Sequence, residues 1–254
     1  MKRITVIIPC YNSADFIAKA IDSVLIQKEN ILEIICVDDC SSDKTVEVIK
    51  RISFCNEIVK LVEKKVNSGP ATSRNIGVDM AQGELIAFLD SDDSWCQNKI
   101  ATQLKFIDEG YDCVFSGFQT NNYLFCHEPI SSIREISINE LVFRNYISTS
   151  SVLMRKGKNR FADGWKYSED YEFWLRLCAQ GKKMGFISNP LYIRSVSVNS
   201  SSLSSKIFYM QLGEIKALLK NSSHYKFLIL PALIFSLFKF TRRCLLNFKL
   251  RNKR

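Results

Sequence analysis

The sequence predicts an α/β fold: a mostly parallel central sheet flanked by helices. Short β-branched apolar runs alternate with segments of helical period over about the first 120 residues. Polar clusters follow three of these runs, with Tyr11 and Asn12 after the first, Asp38 and Asp39 after the second, and residues 90–93 after the fourth. Parallel strands joined by helices are covered on both faces, and ligands sit outside their carboxyl ends.

Residues 3–10 (RITVIIPC) read as a buried strand because β-branched side chains dominate them. Residues 15–27 place Phe16, Ile17, Ala20, Ile21, Val24 and Leu25 at helical spacing, with Ser13 as the expected N-cap. Residues 32–37 (LEIICV) form a second strand, 44–52 a helix and 58–63 (IVKLVE) a third strand. Pro70 suits the first position of a helix over 70–81, where its missing N–H is not needed. The fourth strand, 84–89, runs into the acid cluster; a helix over 98–109 and a strand over 112–117 follow. Beyond residue 118 the pattern loosens. Residues 147–154 (ISTSSVLM) read as a strand, and 184–196 as one or two short strands. Residues 168–179 read as a helix with Tyr171, Trp174, Leu175 and Cys178 on one face. Residues 197–205 (SVNSSSLSS) read as a loop.

With 254 residues and 46% apolar composition, the chain can bury a sizeable core. The expected organisation is one domain over 1–205, with a nucleotide half to about residue 118 and an acceptor half after it. A helical basic tail follows over 206–254. The net charge of +9 is unevenly placed: residues 206–254 hold 11 bases and one acid, and residues 1–205 hold 24 bases and 25 acids. This excludes a nucleic-acid-binding body and points the tail at an anionic surface. Nine cysteines without metal-site spacing, and a start directly in a strand, lead to an expected reduced, cytosolic setting.

The segment 84–93 (ELIAFLDSDD) carries the most chemistry. Side chains alternate along an extended chain, so Asp90 and Asp92 point to one side and Asp93 to the other. Two converging carboxylates repel unless a cation lies between them, and a hard divalent ion takes oxygen ligands. A polar turn is the other open reading, and Asp93 reads as a turn residue. Neither GxxxxGK[ST] nor GxGxxG occurs.

Five motifs fall in order over residues 4–178: VIIPCYN (6–12), VDDCSSDKT (37–45), NSGPATSRNIG (67–77), FLDSDD (88–93) and SEDYEFWLRL (168–177). Together they resemble the inverting glycosyltransferases of family 2, whose fold is GT-A, with a Rossmann-like sheet. The resemblance implies that Pro9 and Tyr11 line a base pocket and that Asp39 accepts the uracil N3–H. It implies that Arg74 and Ser91 face the nucleotide sugar. Asp90 and Asp92 would form the DxD pair, contacting ribose and a Mn²⁺ or Mg²⁺ on the diphosphate, with Asp92 the direct ligand. Asp170 would be the catalytic base and Glu169 its rival.

Each residue also has a plainer reading. Tyr11 could cover the core, Asp39 could cap a helix in the DDCSSD turn, and Arg74 could be a solvated helix charge. Glu169 and Asp170 could simply stabilise a helix start. Trp165 and Trp174 could stack on a sugar, although Trp174 sits at core spacing. Many family members carry a His soon after a Tyr-Arg pair. Here residues 192–198 read YIRSVSV, and the two histidines are His127 and His224, which leaves a third protein ligand for the metal unassigned. The loop 197–205 is expected to close over the diphosphate.

In the tail, 227–238 (FLILPALIFSLF) is twelve residues long, short of the roughly 20 that span a bilayer, and Pro231 weakens it further. Residues 239–254 carry seven bases and no acid, interleaved with Phe240, Leu245, Leu246, Phe248 and Leu250. This pattern suits an amphipathic helix on an anionic leaflet; a helix packed on the body with a solvated basic end is the alternative. The expectation is thus a cytoplasmic enzyme, peripheral on the inner face of a bacterial inner membrane. It would move glucose or galactose from a UDP-sugar to an undecaprenyl-diphosphate-linked sugar in O-antigen or capsule synthesis. A metal-dependent sugar nucleotidyltransferase is one alternative, but it calls for a Gly-rich basic loop where this chain has PCYNSAD. A non-catalytic nucleotide-sugar-binding membrane protein is another, which the intact acids Asp39, Asp92 and Asp170 argue against.

Overall fold

β1 (Ile4–Cys10) is the strand on which the sheet is built, with a buried Ile or Val at most positions on both of its faces. The computed structural model describes residues 3–27, 30–120, 132–195 and 206–251, with side chains to residue 245. β1 pairs in parallel with β2 (Ile31–Asp38) on one side and with β4 (Leu85–Phe88) on the other. β3 (Val59–Glu63) extends the β2 side in parallel. Beyond β4 come β8 (Leu153–Arg155), β6 (Cys113–Gln119), β9 (Met184–Ile193) and β5 (Ser94–Trp95), with β7 (Arg134–Glu135) also on β9. β8, β5 and β7 run against their neighbours, while β6 and β9 are parallel. The sheet is therefore mixed, parallel in its nucleotide half and interrupted by antiparallel strands beyond β4.

Alternation along the strands divides the core into two layers. Ile4, Val6 and Ile8 face α1 (Ile17–Leu25), α2 (Thr45–Cys55) and α4 (Lys99–Asp108). Ile7, Ile86 and Phe88 face α3 (Pro70–Met80) and α6 (Glu169–Ala179). α5 (Ile138–Leu141), α7 (Ile207–Lys220) and α8 (Ile229–Arg251) contribute to this second layer through Leu141, Ala217, Leu218 and Ala232.

Two local expectations change. The hydroxyl of Ser13 does not cap α1: it is buried without a partner, and the Ser13 carbonyl accepts from Phe16 N and Ile17 N at 3.0 and 2.9 Å. Residues 147–154 are not one strand. Thr149–Ser151 form a 3₁₀ turn before β8, because the Ser150 hydroxyl is drawn to the acid cluster. Pro231 lies in the first turn of α8, where helical N–H groups have no intrahelical acceptor, so the helix runs through it. Among the described residues no helix is long and apolar enough to cross a membrane.

α3 lies close on β1 because position 77 is glycine. A Cβ there would stand 2.5 Å from Ile7 Cγ2. Gly77→Ala is therefore expected to lower stability by about 1–3 kcal/mol through overpacking. The shift of the urea unfolding midpoint measures it, and a variant as stable as the parent contradicts this packing.

Candidate active site

The strand order β3-β2-β1-β4 reverses direction of travel at β1 and β4, which opens a crevice at their carboxyl ends. The loop after β1 is tied to the loop after β2. The Asn12 side-chain oxygen accepts from Ser42 N at 2.9 Å, Ser41 Oγ accepts from Asn12 N at 2.9 Å, and Asp43 accepts from Ala14 N at 3.1 Å. Asn12 and Cys40 have φ of 48° and 63°, left-handed values held in place by these contacts. Tyr11 is 53% exposed, so it does not cover the core; it stands on the crevice rim beside the half-buried Pro9.

Asp39 is not a helix cap. α2 has no side-chain N-cap; Asp38 and Asp43 brace the turn before it, accepting from Ser41 N and Thr45 N. The buried Asp39 carboxylate instead accepts from Ser68 N at 2.9 Å and Gly69 N at 2.7 Å, and it pairs with Lys64. It thereby fixes the turn that opens α3. A carboxylate has about four lone-pair sites, so roughly one is left for a ligand.

Arg74, in the second turn of α3, is buried and not a solvated charge. Its guanidinium donates to Asp90 Oδ1 at 2.7 Å and Glu169 Oε1 at 3.1 Å. It lies 5.5 Å from the centre of the Phe161 ring. Asn75 exchanges two bonds with the Phe161 backbone, at 2.9 and 2.8 Å. One turn of α3 thus holds together the end of β4, the segment before α6 and the start of α6.

The acid cluster departs from the extended geometry. β4 ends at Phe88, and Asp93 N donates to Asp90 O at 3.0 Å to close a turn. Asp90 and Asp92 are brought near each other by this turn rather than by strand alternation, with the half-buried Ser91 between them. Asp93 is not an idle turn residue. It is 7% exposed, accepts from Ser150 Oγ at 2.6 Å and takes the Ser195 N–H at 3.0 Å. The Ser150 hydroxyl also accepts from Asp90 N at 3.1 Å. Burial, then the charge of Asp90, push the Asp93 carboxyl up to about 7. Residues 197–205 lie outside the described residues, and so does His127.

At the start of α6, Ser168 has φ 57°, the third non-glycine residue with positive φ among those described. Glu169 is buried and held by Arg74; burial and then Asp170 push its carboxyl up to about 7, against the pull of Arg74. Asp170 accepts from Tyr171 N at 2.8 Å and has no cationic partner in contact among the described residues. Burial raises its pKa, Arg74 pulls it back, and Asp90 raises it again. Trp174 is fully buried, as its spacing suggested, whereas Trp165 is half-buried.

Asp90, Glu169 and Asp170 thus surround one buried guanidinium, with Asp92 and Asp93 beside Asp90, an excess of negative charge. Asp92 is exposed, makes no ion pair among the described residues, and is raised by burial and by Asp90, with Arg194 opposing. Two hard oxygen donors on an accessible turn fit a Mn²⁺ or Mg²⁺ that takes its other ligands from diphosphate and water. Among the described residues no group of three or more His, Cys, Asp or Glu converges as a metal cage. Lys64, Ser150 and Arg194 carried no sequence signal of their own beyond the polar run 147–151 and the Tyr-Ile-Arg stretch.

This fold is of the GT-A type, as two solved structures show. Residues 1–349 of Staphylococcus aureus TarS in complex with UDP-GlcNAc superpose with a TM-score of 0.72 at 22% identity, covering 94% of this chain and 73% of that one. The mannosyltransferase PcManGT of Pyrobaculum calidifontis, solved with GDP-Man and Mn²⁺, gives 0.69 at 17% identity over 93% of this chain and 73% of that one. At these identities the likeness speaks for the fold. The profile of Glycosyl transferase family 2 matches residues 5–166. An uncharacterized glycosyltransferase of Haemophilus influenzae is 32% identical over 82% of this chain and 86% of its own length. The Escherichia coli UDP-Glc:alpha-D-GlcNAc-diphosphoundecaprenol beta-1,3-glucosyltransferase WfaP is 31% identical over 72% of this chain and 73% of its own. The chain belongs to glycosyl transferase family 2.

Removing the central cation tests the network. Arg74→Ala leaves Glu169 buried without its partner, and the expected loss is about 3–5 kcal/mol. The folded variant can relieve this by keeping Glu169 protonated, and its carboxyl rises further once Arg74 is gone. Protons are scarcer at high pH, so the loss grows as pH rises from 5 to 8. Urea titrations at both pH values measure it; a small loss independent of pH contradicts the assignment.

Proposed function

We propose that the chain is an inverting hexosyltransferase that uses a UDP-sugar, glucose or galactose, and a lipid-diphosphate-linked sugar acceptor. The observation that carries the mechanism is the unequal treatment of two adjacent carboxylates. Arg74 holds Glu169, and Asp170 is left without a cationic partner in contact. Asp170 is thus the general base: it takes the proton from the acceptor hydroxyl as that oxygen attacks the anomeric carbon. Attack opposite the leaving group turns an α-linked donor into a β-linked product.

Pro9, Tyr11 and Asp39 receive the uracil, with Tyr11 against the ring and the remaining lone pair of Asp39 on N3–H. Arg74, Ser91 and Asp90 face the ribose and sugar. Asp92, with Asp90, would hold Mn²⁺ or Mg²⁺, which when bound supplies Lewis-acid stabilisation of charge on the departing diphosphate. The UDP-sugar and acceptor classes are supported by the printed activity of WfaP, and the polysaccharide role also by a 29% identical amylovoran biosynthesis glycosyltransferase of Erwinia amylovora. Membership of the family leaves nucleotidyl transfer without support.

The same reading gives residues 206–254 a membrane role, beside a catalytic unit over 1–205. α8 presents Leu230, Ile234, Leu237, Phe238 and Leu245 to solvent, and Phe208 and Leu212 of α7 are exposed as well. With Arg242 and Arg243 on the same helix, this stripe suits an anionic leaflet on the cytoplasmic side of a bacterial inner membrane, where O-antigen or capsule precursors are assembled.

Asp170→Asn is expected to lower kcat by about 10²–10⁴-fold while UDP binding persists. Asp92→Ala is expected to abolish metal-dependent transfer. Mass spectrometry with UDP-, GDP- and dTDP-sugars and a synthetic GlcNAc-diphospho-lipid reads both. Full activity in either variant, or transfer from GDP- or dTDP-sugars alone, overturns the corresponding role. Leu230→Ser with Phe238→Ser is expected to reduce co-flotation with phosphatidylglycerol vesicles several-fold, since each removes apolar area from the contact. Undiminished flotation refutes the tail assignment.

A further inference from the structure

The segment that leads into Asp170 forms one wall of a cleft of about 170 Å³ that the reaction described above does not use. Trp165, Lys166 and Tyr167 line it on this side, and Tyr209, Gly213 and Lys216 of α7 on the other. The two walls touch at the base of the cleft. A Cβ on Gly213 would stand 2.5 Å from the Tyr167 carbonyl oxygen, and Ser168 Oγ donates to Met210 O at 3.2 Å. The Tyr167 and Tyr209 rings stack with centres 5.5 Å apart.

The cations here are unevenly used. Lys216 Nζ lies 4.3 Å and Lys220 Nζ 5.2 Å from the centre of the Trp165 ring. Lys220 is paired with the buried Glu172 at 3.2 Å. Lys216 and the exposed Lys166 make no ion pair among the described residues. Two ammonium groups without a carboxylate partner, on opposite walls of an aromatic cleft, suit a compact dianion, because lysine binds phosphate as a mobile point charge. Tyr167 is three residues before Asp170, so their Cα atoms are at most about 11 Å apart. That is the scale of one sugar ring and its phosphate linkage. Leu212, which also lines the cleft, and Phe208 on the same helix expose apolar surface where a lipid chain would continue.

We propose that this cleft binds the diphosphate of the acceptor. Lys166 and Lys216 hold the phosphates, Trp165 and Tyr209 flank them, and the first sugar reaches back to Asp170. The inference rests on the acceptor class proposed above and adds to it a site. It also explains why a lipid diphosphate, rather than a free sugar, would place its hydroxyl at the base.

Trp165 provides a readout independent of transfer, since Trp95 and Trp174 are buried. Titrating the full chain with a short-tailed GlcNAc-diphospho-lipid is expected to quench tryptophan emission saturably, and Trp165→Phe to abolish the change. Lys166→Ala with Lys216→Ala is expected to weaken binding about tenfold or more. The same lipid without phosphates is expected to bind the parent about tenfold more weakly. If the double variant does not fold, Lys166→Gln alone, on the surface, is expected to weaken binding several-fold. Equal quenching by the phosphate-free lipid, or unchanged affinity in a folded lysine variant, overturns the proposal. Inorganic pyrophosphate or UDP quenching as strongly as the lipid also overturns it, since the cleft would then serve a free phosphate. Quenching without any transfer sinks the proposed activity but not the cleft; transfer without quenching sinks the cleft alone.

Discussion

The guanidinium of Arg74 is the interaction on which the site depends. It joins Asp90 at the end of β4 to Glu169 at the start of α6, and these belong to halves of the chain separated by almost eighty residues. Neither half could hold its acids alone, because buried carboxylates of like charge drive each other toward protonation. Arginine suits this place better than lysine. Its planar fork addresses two carboxylates at once and stays charged when buried. The neighbouring Asn75 repeats the same bridging with backbone bonds, so α3 works as a clamp between the nucleotide side and the acceptor side.

The clamp also sets the division of labour among the acids. Asp39 is turned into a scaffold for the start of α3, Asp93 into an anchor for Ser150 and for the backbone at Ser195. Glu169 is tied to Arg74. What remains accessible is Asp92 on its turn, one oxygen of Asp90, and Asp170. The second core layer carries this order outward. Ala217 and Leu218 of α7 and Ala232 of α8 share a cluster with Ile7, Phe88 and Trp174, so the basic tail is packed against the element that bears Asp170.

Much of the architecture was legible in the chain because it is written in local periods. The runs around β1, β2 and β4 and the helix opened by Pro70 needed only β-branching, spacing and a proline. The candidate site was legible as a set of positions but not as a set of contacts. The motif at 67–77 marked Arg74, yet nothing in it says that Ser68 and Gly69 would donate to Asp39 or that Gly77 must clear Ile7. Asp93 belongs to the turn, as its sequence suggested, but its anchoring of Ser150 and Ser195 was not legible. The strand ends at Phe88, and the following turn replaces the alternation from which side-chain directions were inferred. Likewise, Ser150 interrupted an apparent strand because its hydroxyl serves residues almost sixty positions away, and no local pattern encodes a partner at that distance.

Asn12, Cys40 and Ser168 have a consequence for anyone redesigning this chain. Each adopts a backbone shape that glycine would take without strain, and each lies within two residues of a candidate site residue. A search for heat-resistant versions that scores single positions by local comfort would nominate these three for replacement. Glycine there would relieve the strain but would add freedom to the loops that carry Tyr11, Asp39 and Asp170. Hardening the protein is therefore best pursued on the far side of the sheet, around α1, α2 and α4, where comfort and function do not compete.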